Sequence, residues 1–170
     1  MNARPAVTVL GLIALTAAVD LGTKLLASVH LDDAVEPLVP FLSLALAFNR
    51  GISFSMFSAD TETGVAILLL VQALATAFVT WFALRAQSSG ERIGYGLIAG
   101  GALGNLIDRA ADGAVTDFLD LHPMAWRLFT FNVADVFISA GVVLLVIDAI
   151  LTSRGPAVRP ETAMHERRPG

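Results

Sequence analysis

Five groups of polar residues in this chain lie beside or inside apolar sequence: Asp20 with Lys24, Asn49-Arg50-Gly51 with Ser53 and Ser55, Asn105 with Asp108 and Arg109, Asp117 with Asp120, and Asn132 with Asp135 and Ser139. Charged groups in such surroundings are costly and mark function. Asn105, Asp108 and Arg109 fall at i, i+3, i+4 and share one helix face, as do Asn132, Asp135 and Ser139 at i, i+3, i+7. Asp20 and Lys24, at i, i+4 with the acid first, form a favourable pair. If these faces meet, carboxylates from two segments converge among amide and cationic donors. Two carboxylates sharing a proton can activate water against a carbonyl. One acts as base while the other, protonated, polarises the carbonyl and later serves the leaving amine. Proximity and partial burial separate their pKa values. A Ser/Lys dyad of Ser53 or Ser55 with Lys24 is a second option, although Lys24 pairs more simply with Asp20. A divalent cation held by carboxylate oxygens is a third. The paired-acid chemistry needs no cofactor and no metal. The chain has no cysteine, which excludes a thiol nucleophile, thiolate metal sites and disulfides. Its three histidines, at 30, 122 and 165, are scattered.

The elements that must position these groups are membrane helices. Of 170 residues, 55% are hydrophobic and 15% charged, against roughly 25% charged in an average soluble domain. Mean hydropathy is +0.71. A net charge of −4 argues against a nucleic-acid binder. Four runs approach the roughly 20 apolar residues that a span needs, at about 7–26, 63–84, 93–109 and 132–151. The first also carries the marks of a cleavable signal peptide, but its apolar run continues past the small residues Ala17 and Ala18 to Leu26, so a retained span is expected. Lys and Arg then fix the orientation. Arg4, Arg85, Arg92, Arg154, Arg159, Arg167 and Arg168 lie on one side, against Lys24, Arg50, Arg109 and Arg127 on the other. The richer side is cytoplasmic by the positive-inside rule, with both termini on it. All five polar groups then sit at the opposite surface. A proton or ion path would instead scatter ionisable groups through the midplane, and no internal repeat of the transporter kind is visible. The segment from Leu38 to Phe57, partly alternating and too interrupted to span, reads as a small β-platform between spans one and two. The expected fold is therefore membrane all-α: residues 1–152 form four transmembrane helices with an extracytoplasmic β-platform. Residues 153–170 form a disordered cytoplasmic tail. Gly96, Gly100 and Gly104 make a small-residue ridge for close helix packing.

Five motifs in order carry a family resemblance: Asp20-Leu-Gly-Thr-Lys24, Phe48-Asn-Arg-Gly-Ile-Ser-Phe-Ser55, Gly100-Gly-Ala-Leu-Gly-Asn-Leu-Ile-Asp-Arg109, Val115-Thr-Asp-Phe-Leu-Asp120 and Phe131-Asn-Val-Ala-Asp-Val-Phe-Ile-Ser-Ala-Gly141. The chain resembles bacterial lipoprotein signal peptidase, or signal peptidase II, over about Val7 to Leu151. That resemblance implies an aspartic endopeptidase of the inner membrane with its site facing the periplasm. Its substrates would be diacylglyceryl-modified prolipoproteins, cut just before the lipidated cysteine. It implies catalytic aspartates at Asp117 and Asp135. Asn105, Arg109 and Asn132 would line the site and hold substrate backbone and the carboxylates. Asn49 and Gly51 would lie on a substrate-holding cradle, and Asp20 and Lys24 would form a structural pair. Membrane lipid and globomycin-type inhibitors are the further partners implied, and a monomer is expected. The chain departs from the family pattern at Phe48 and Arg50, where Arg and Thr are usual, so a basic group has moved two places along. Val136 stands where a small polar residue often follows the second aspartate.

Each neighbouring residue has a plainer role to fill. Asp120 is expected as a loop residue or turn anchor, Asp108 as the partner of a nearby Arg, and Arg109 as a group orienting a carboxylate. Asn132 would cap the fourth helix. Asp148 falls at the far end as a packing residue. Trp126, Phe129 and Phe131 would form an interfacial aromatic belt, and His122-Pro123 a turn. The rivals are a small transporter or channel, which predicts polar groups at mid-span, and a catalytically silent relative, which predicts loss of an aspartate.

Overall fold

The computed structural model describes residues 3–31, 35–51, 62–123 and 128–153. Ser53, Ser55, Trp126 and the tail beyond Ser153 lie outside these residues. Four helices, α1 (Ala3–His30), α2 (Glu62–Arg85), α3 (Ser89–Asp112) and α4 (Val133–Ser153), and four strands, β1 (Glu36–Val39), β2 (Leu42–Asn49), β3 (Val115–Leu121) and β4 (Phe129–Phe131), follow in the order α1-β1-β2-α2-α3-β3-β4-α4. Among the described residues three helical stretches are long and apolar enough to cross a membrane: Pro5–His30, Thr63–Arg85 and Val133–Thr152. Helix α3 is as long as α2 but is broken up by Gly90, Gly94, Gly96, Gly100, Gly101 and Gly104 and ends in charge, which lowers its hydropathy.

Those glycines explain the packing. Helix α3 is the centre of the bundle and touches the other three. A Cβ at Gly96, Gly100 or Gly104 would run into Leu12, Thr16 or Asp20 of α1. Two four-residue ladders therefore mesh, and backbones approach as a small-residue ridge allows. A second face of α3 meets α4, where Gly94 lies on Leu145 and Gly141, and Gly101 on Ala134. Against α2, Val9, Ile13, Ala83 and Ala99 form a buried cluster flanked by Val79 and Tyr95. Helix α3 starts in a capping box: Ser88 Oγ accepts from Glu91 N at 2.8 Å, and Glu91 reaches back to Ser88 N at 3.2 Å. It stops at Gly113, whose left-handed φ of 72° lets its N–H close on the Arg109 carbonyl at 2.9 Å.

The sheet is antiparallel in the order β1-β2-β3-β4. The platform thus differs from the expected one: the segment between α1 and α2 supplies only two strands, and the connection from α3 to α4 supplies the other two. Period-two alternation is weak in Val115–Leu121, where five of the seven residues are buried, so the segment reads as a loop with acids in it. Ala27, Leu31 and Phe118, with Leu44 and Val133 around them, seat the sheet on the C-terminal end of α1. The helices extend past the expected limits at several ends. At α4 the limit moves inward, leaving Asn132 just outside the helix.

Candidate active site

Asp117 sits in the middle of β3, a strand rather than the expected loop, and is 3% exposed. Asp135 is the third residue of α4 and half-buried. Asn132 joins them. Its Nδ2 donates to Asp117 Oδ1 at 2.6 Å. Its Oδ1 accepts from Asp135 N at 3.2 Å, and its own N–H donates to Asp135 Oδ2 at 3.1 Å. This reciprocal pair is a helix cap, so the expected capping role is present and the same amide also reaches β3. Asn49, at the end of β2, donates from Nδ2 to Asp117 Oδ2 at 3.3 Å, and its Oδ1 accepts from Gly51 N at 3.0 Å. Gly51 has φ of 116°, which favours glycine there. Asn105 donates from Nδ2 to Asp135 Oδ1 at 3.4 Å.

Behind these groups lies a buried cation. Lys24 Nζ donates to Asn105 Oδ1 at 2.6 Å and forms ion pairs with Asp20 Oδ2 at 2.8 Å and Asp108 Oδ2 at 3.2 Å. Because Lys24 takes the Asn105 oxygen, the amide nitrogen is the end presented to Asp135. Asp20, fully buried, uses its other oxygen to accept from Ala134 N at 2.8 Å, so α1 caps α4 from the side. Asp108 accepts from Thr116 N at 2.7 Å, which holds β3 on α3. Asp20 and Lys24 thus form the expected ion pair and also tie three helices and the sheet together.

Three expectations change. Asp108 pairs with Lys24 rather than with an arginine, since α1 lies closer than any guanidinium once the glycine ridge has closed. Arg109 has no carboxylate within 4 Å among the described residues. It donates to Gln72 Oε1 at 2.8 Å and to the Asn49 carbonyl at 3.2 Å, and so holds the end of β2 that aims Asn49. Asp120 is a buried strand residue, not a loop residue; the pleat separates it from Asp117, three positions away, onto the opposite face. Gln72 went unnoticed in the sequence, although a lone amide within an otherwise apolar α2 was the available signal. Thr116, which holds Asp108 through its N–H at 2.7 Å and its hydroxyl at 3.4 Å, went unnoticed as well. His122 donates its N–H to the Phe41 carbonyl at 2.9 Å and meets Ser43 Oγ through Nε2 at 2.6 Å. Phe129 and Phe131 pack together with ring centroids 5.7 Å apart. Asp148, at the far end, accepts from Ser88 Oγ at 2.8 Å and joins α4 to the start of α3.

The two carboxylates therefore stand at one end of the bundle, each held by two N–H donors. Burial pushes the Asp117 carboxyl above its ordinary value, and the charge of Asp135 adds to that. The Asn132 and Asn49 amides and the Lys24 charge offset part of the rise. Two carboxyl groups joined by one amide, one more buried than the other, are an arrangement suited to proton-sharing hydrolysis.

The family model described as signal peptidase (SPase) II matches residues 12–151. The chain is 47% identical over 116 residues to a lipoprotein signal peptidase of Mesorhizobium japonicum, a match covering 67% of each chain. It is 40% identical over 163 residues to one of a Methylobacterium species, covering 93% of this chain and 99% of that one. A solved bacterial membrane enzyme superposes with a TM-score of 0.74 at 21% identity, covering 89% of this chain and 93% of the other, and so shares its fold.

Proposed function

This chain belongs to the signal peptidase II family, which makes it a membrane protease that removes signal peptides from prolipoproteins, and we propose that Asp117 and Asp135 carry the hydrolysis. The observation behind this is the Asn132 side chain, which bonds one carboxylate and caps the helix that carries the other. In this reading Asp117 holds the shared proton, since it is the more buried and its pKa is raised. Asp135 takes a proton from water, whose oxygen attacks the scissile carbonyl. Asp117 donates a hydrogen bond to the carbonyl oxygen and steadies the tetrahedral intermediate. A proton then passes to the leaving amine as the C–N bond breaks. Asn49, Gly51, Asn105, Arg109 and Asn132 support the site: the amides orient the carboxylates, and Arg109 holds β2 against α3.

The substrate is a prolipoprotein carrying a diacylglyceryl group, cut before the lipidated cysteine. The membrane orients it, which supplies much of the positioning that a small protein cannot. Helix α3 serves as the fourth span. Enclosed by the other three helices, it needs no apolar outer face, and its glycines and polar end are compatible with that position. The sheet and the site then face the periplasm and both termini the cytoplasm of the inner membrane, consistent with the arginine count. Globomycin-type peptides would compete for the same site.

A gel-shift cleavage assay in detergent or liposomes tests this. Wild type, Asp117→Asn and Asp135→Asn would each meet a diacylglyceryl-modified prolipoprotein, with and without EDTA. Cleavage that survives EDTA and disappears in both variants is expected. Cleavage by either variant at near wild-type rate would reject the pair.

A further inference from the structure

The opposite end of the bundle carries a second, differently built recess. The N-terminal turns of α1, the C-terminal end of α2 and the start of α3 enclose a cavity of about 270 Å³. Its walls are Pro5, Ala6, Val9, Ala83 and Leu84, and its mouth carries Arg85, Gln87 and Arg92 with no acidic residue. A neighbouring cavity of about 400 Å³, between α2 and α3, shares Arg85 and Gln87, is walled by Trp81, Phe82 and Tyr95, and includes Glu91. Along α3, Arg92 and Asn105 are 13 residues apart, or about 20 Å at 1.5 Å per residue, so this recess is remote from Asp117 and Asp135.

Three observations point to an anion. First, neither arginine forms an ion pair with a carboxylate among the described residues; Glu91 lies near enough to Arg92 for the charges to attract, but beyond salt-bridge distance. Second, the two nearby acids are already engaged: Glu91 by the Gln87 and Ser88 N–H groups, Asp148 by Ser88 Oγ. Third, both guanidinium groups are steadied. Arg92 Nη2 donates to the Gln87 carbonyl at 3.0 Å and Nε to Ala86 O at 3.3 Å, and Arg85 lies over the Trp81 ring at 5.3 Å. An arginine at the C-terminal end of α2 is ordinary dipole compensation. That does not account for a second arginine, from the next helix, meeting it at the mouth of an apolar-walled recess.

We propose that this recess binds the phosphate headgroup of an anionic phospholipid, with Arg85 and Arg92 on the phosphate and an acyl chain along the groove between α1 and α2. A lipid is favoured over free phosphate because the cavity is apolar below its cationic mouth and opens at the end of membrane-length helices. The site is separate from the hydrolytic one and independent of its assignment.

The test measures Tm of the full chain in nanodiscs or delipidated micelles. The additions are phosphatidylglycerol, phosphatidylcholine of the same chains, and inorganic phosphate. Phosphatidylglycerol should raise Tm by about 5 °C or more over phosphatidylcholine, and Arg85→Gln/Arg92→Gln should abolish the difference. Arg50→Gln, which removes the same charge type at the other end, should keep it. Equal shifts with both lipids, or a shift retained in the double variant, would overturn the site. A shift reproduced by millimolar inorganic phosphate would overturn the lipid assignment. Should the double variant not fold, native mass spectrometry of Arg85→Lys and Arg92→Lys decides: lipid retention within twofold of wild type supports a charge-based site, and retention equal for both lipids rejects it.

Discussion

At the residue scale, three side chains meet different tests. Asp117→Asn and Asp135→Asn should each lower kcat for prolipoprotein cleavage by at least about a thousandfold, the loss of one acid-base group, in the gel-shift assay. The raised pKa of Asp117 also fixes the sign of a pH effect. Between the ordinary carboxylate value and the raised one, the folded protein holds a proton that the unfolded chain has released. Stability therefore falls as pH rises through that window, and activity falls with it as the shared proton is lost. Asp117→Asn removes this titration, so its Tm should gain on wild type as pH goes from 4 to 7. Thermal melts across that range check it, and a gap that does not move with pH refutes the shift. Asn132 separates two duties. Asn132→Ser keeps a cap while losing the reach to Asp117, whereas Asn132→Ala loses both. Serine should restore the roughly 1 kcal/mol of cap stability without restoring kcat.

Helices meet through glycine, and the prediction at the element scale is a contrast between two sets of glycines. Gly100→Ala places a Cβ against Thr16 and the Ile13 carbonyl, part of it backbone, where movement is costly. Destabilisation of about 1–3 kcal/mol is expected. Gly11→Ala and Gly22→Ala on α1 meet nothing within 4 Å, and should be neutral or gain up to about 1 kcal/mol. Unfolding by denaturant in detergent reads all three. The ridge of Gly96, Gly100 and Gly104 was legible in the sequence because four-residue spacing is a local property. Gly94 and Gly101, on the other face of α3, were not, because only the position of α4 gives them a partner.

Over the whole molecule, one buried lysine links α1, α3 and, through its acids, β3 and α4. Lys24→Met would leave Asp20 and Asp108 buried without a counter-charge, at a cost of about 3–5 kcal/mol. It would also free the Asn105 amide to turn from Asp135. Lys24→Met combined with Asp20→Asn and Asp108→Asn removes the stranded charges and should regain most of the Tm. Activity should stay low, because Asn105 is no longer oriented. Recovery of both together would mean that Lys24 serves stability alone.

Hydropathy, charge placement and residue spacing are properties of short stretches, and these the sequence determined by itself: the apolar helices, the end of the bundle where polar groups gather, the Asp20–Lys24 pair and the glycine ridge. Its motifs also identified Asp117 and Asp135 as a pair worth testing. Partners across the fold came only from tertiary structure. Asp117 and Asn132 are fifteen residues apart in the chain and 2.6 Å apart in space; Lys24 and Asn105 are eighty-one residues apart. No local pattern records that a second acid, Asp108, joins Lys24, that Arg109 holds a backbone carbonyl instead of a carboxylate, or that two separate loops pair into one sheet. Those outcomes depend on how closely α1, α3 and α4 approach. Once the glycines allow that approach, burial leaves each polar group only the few partners within reach.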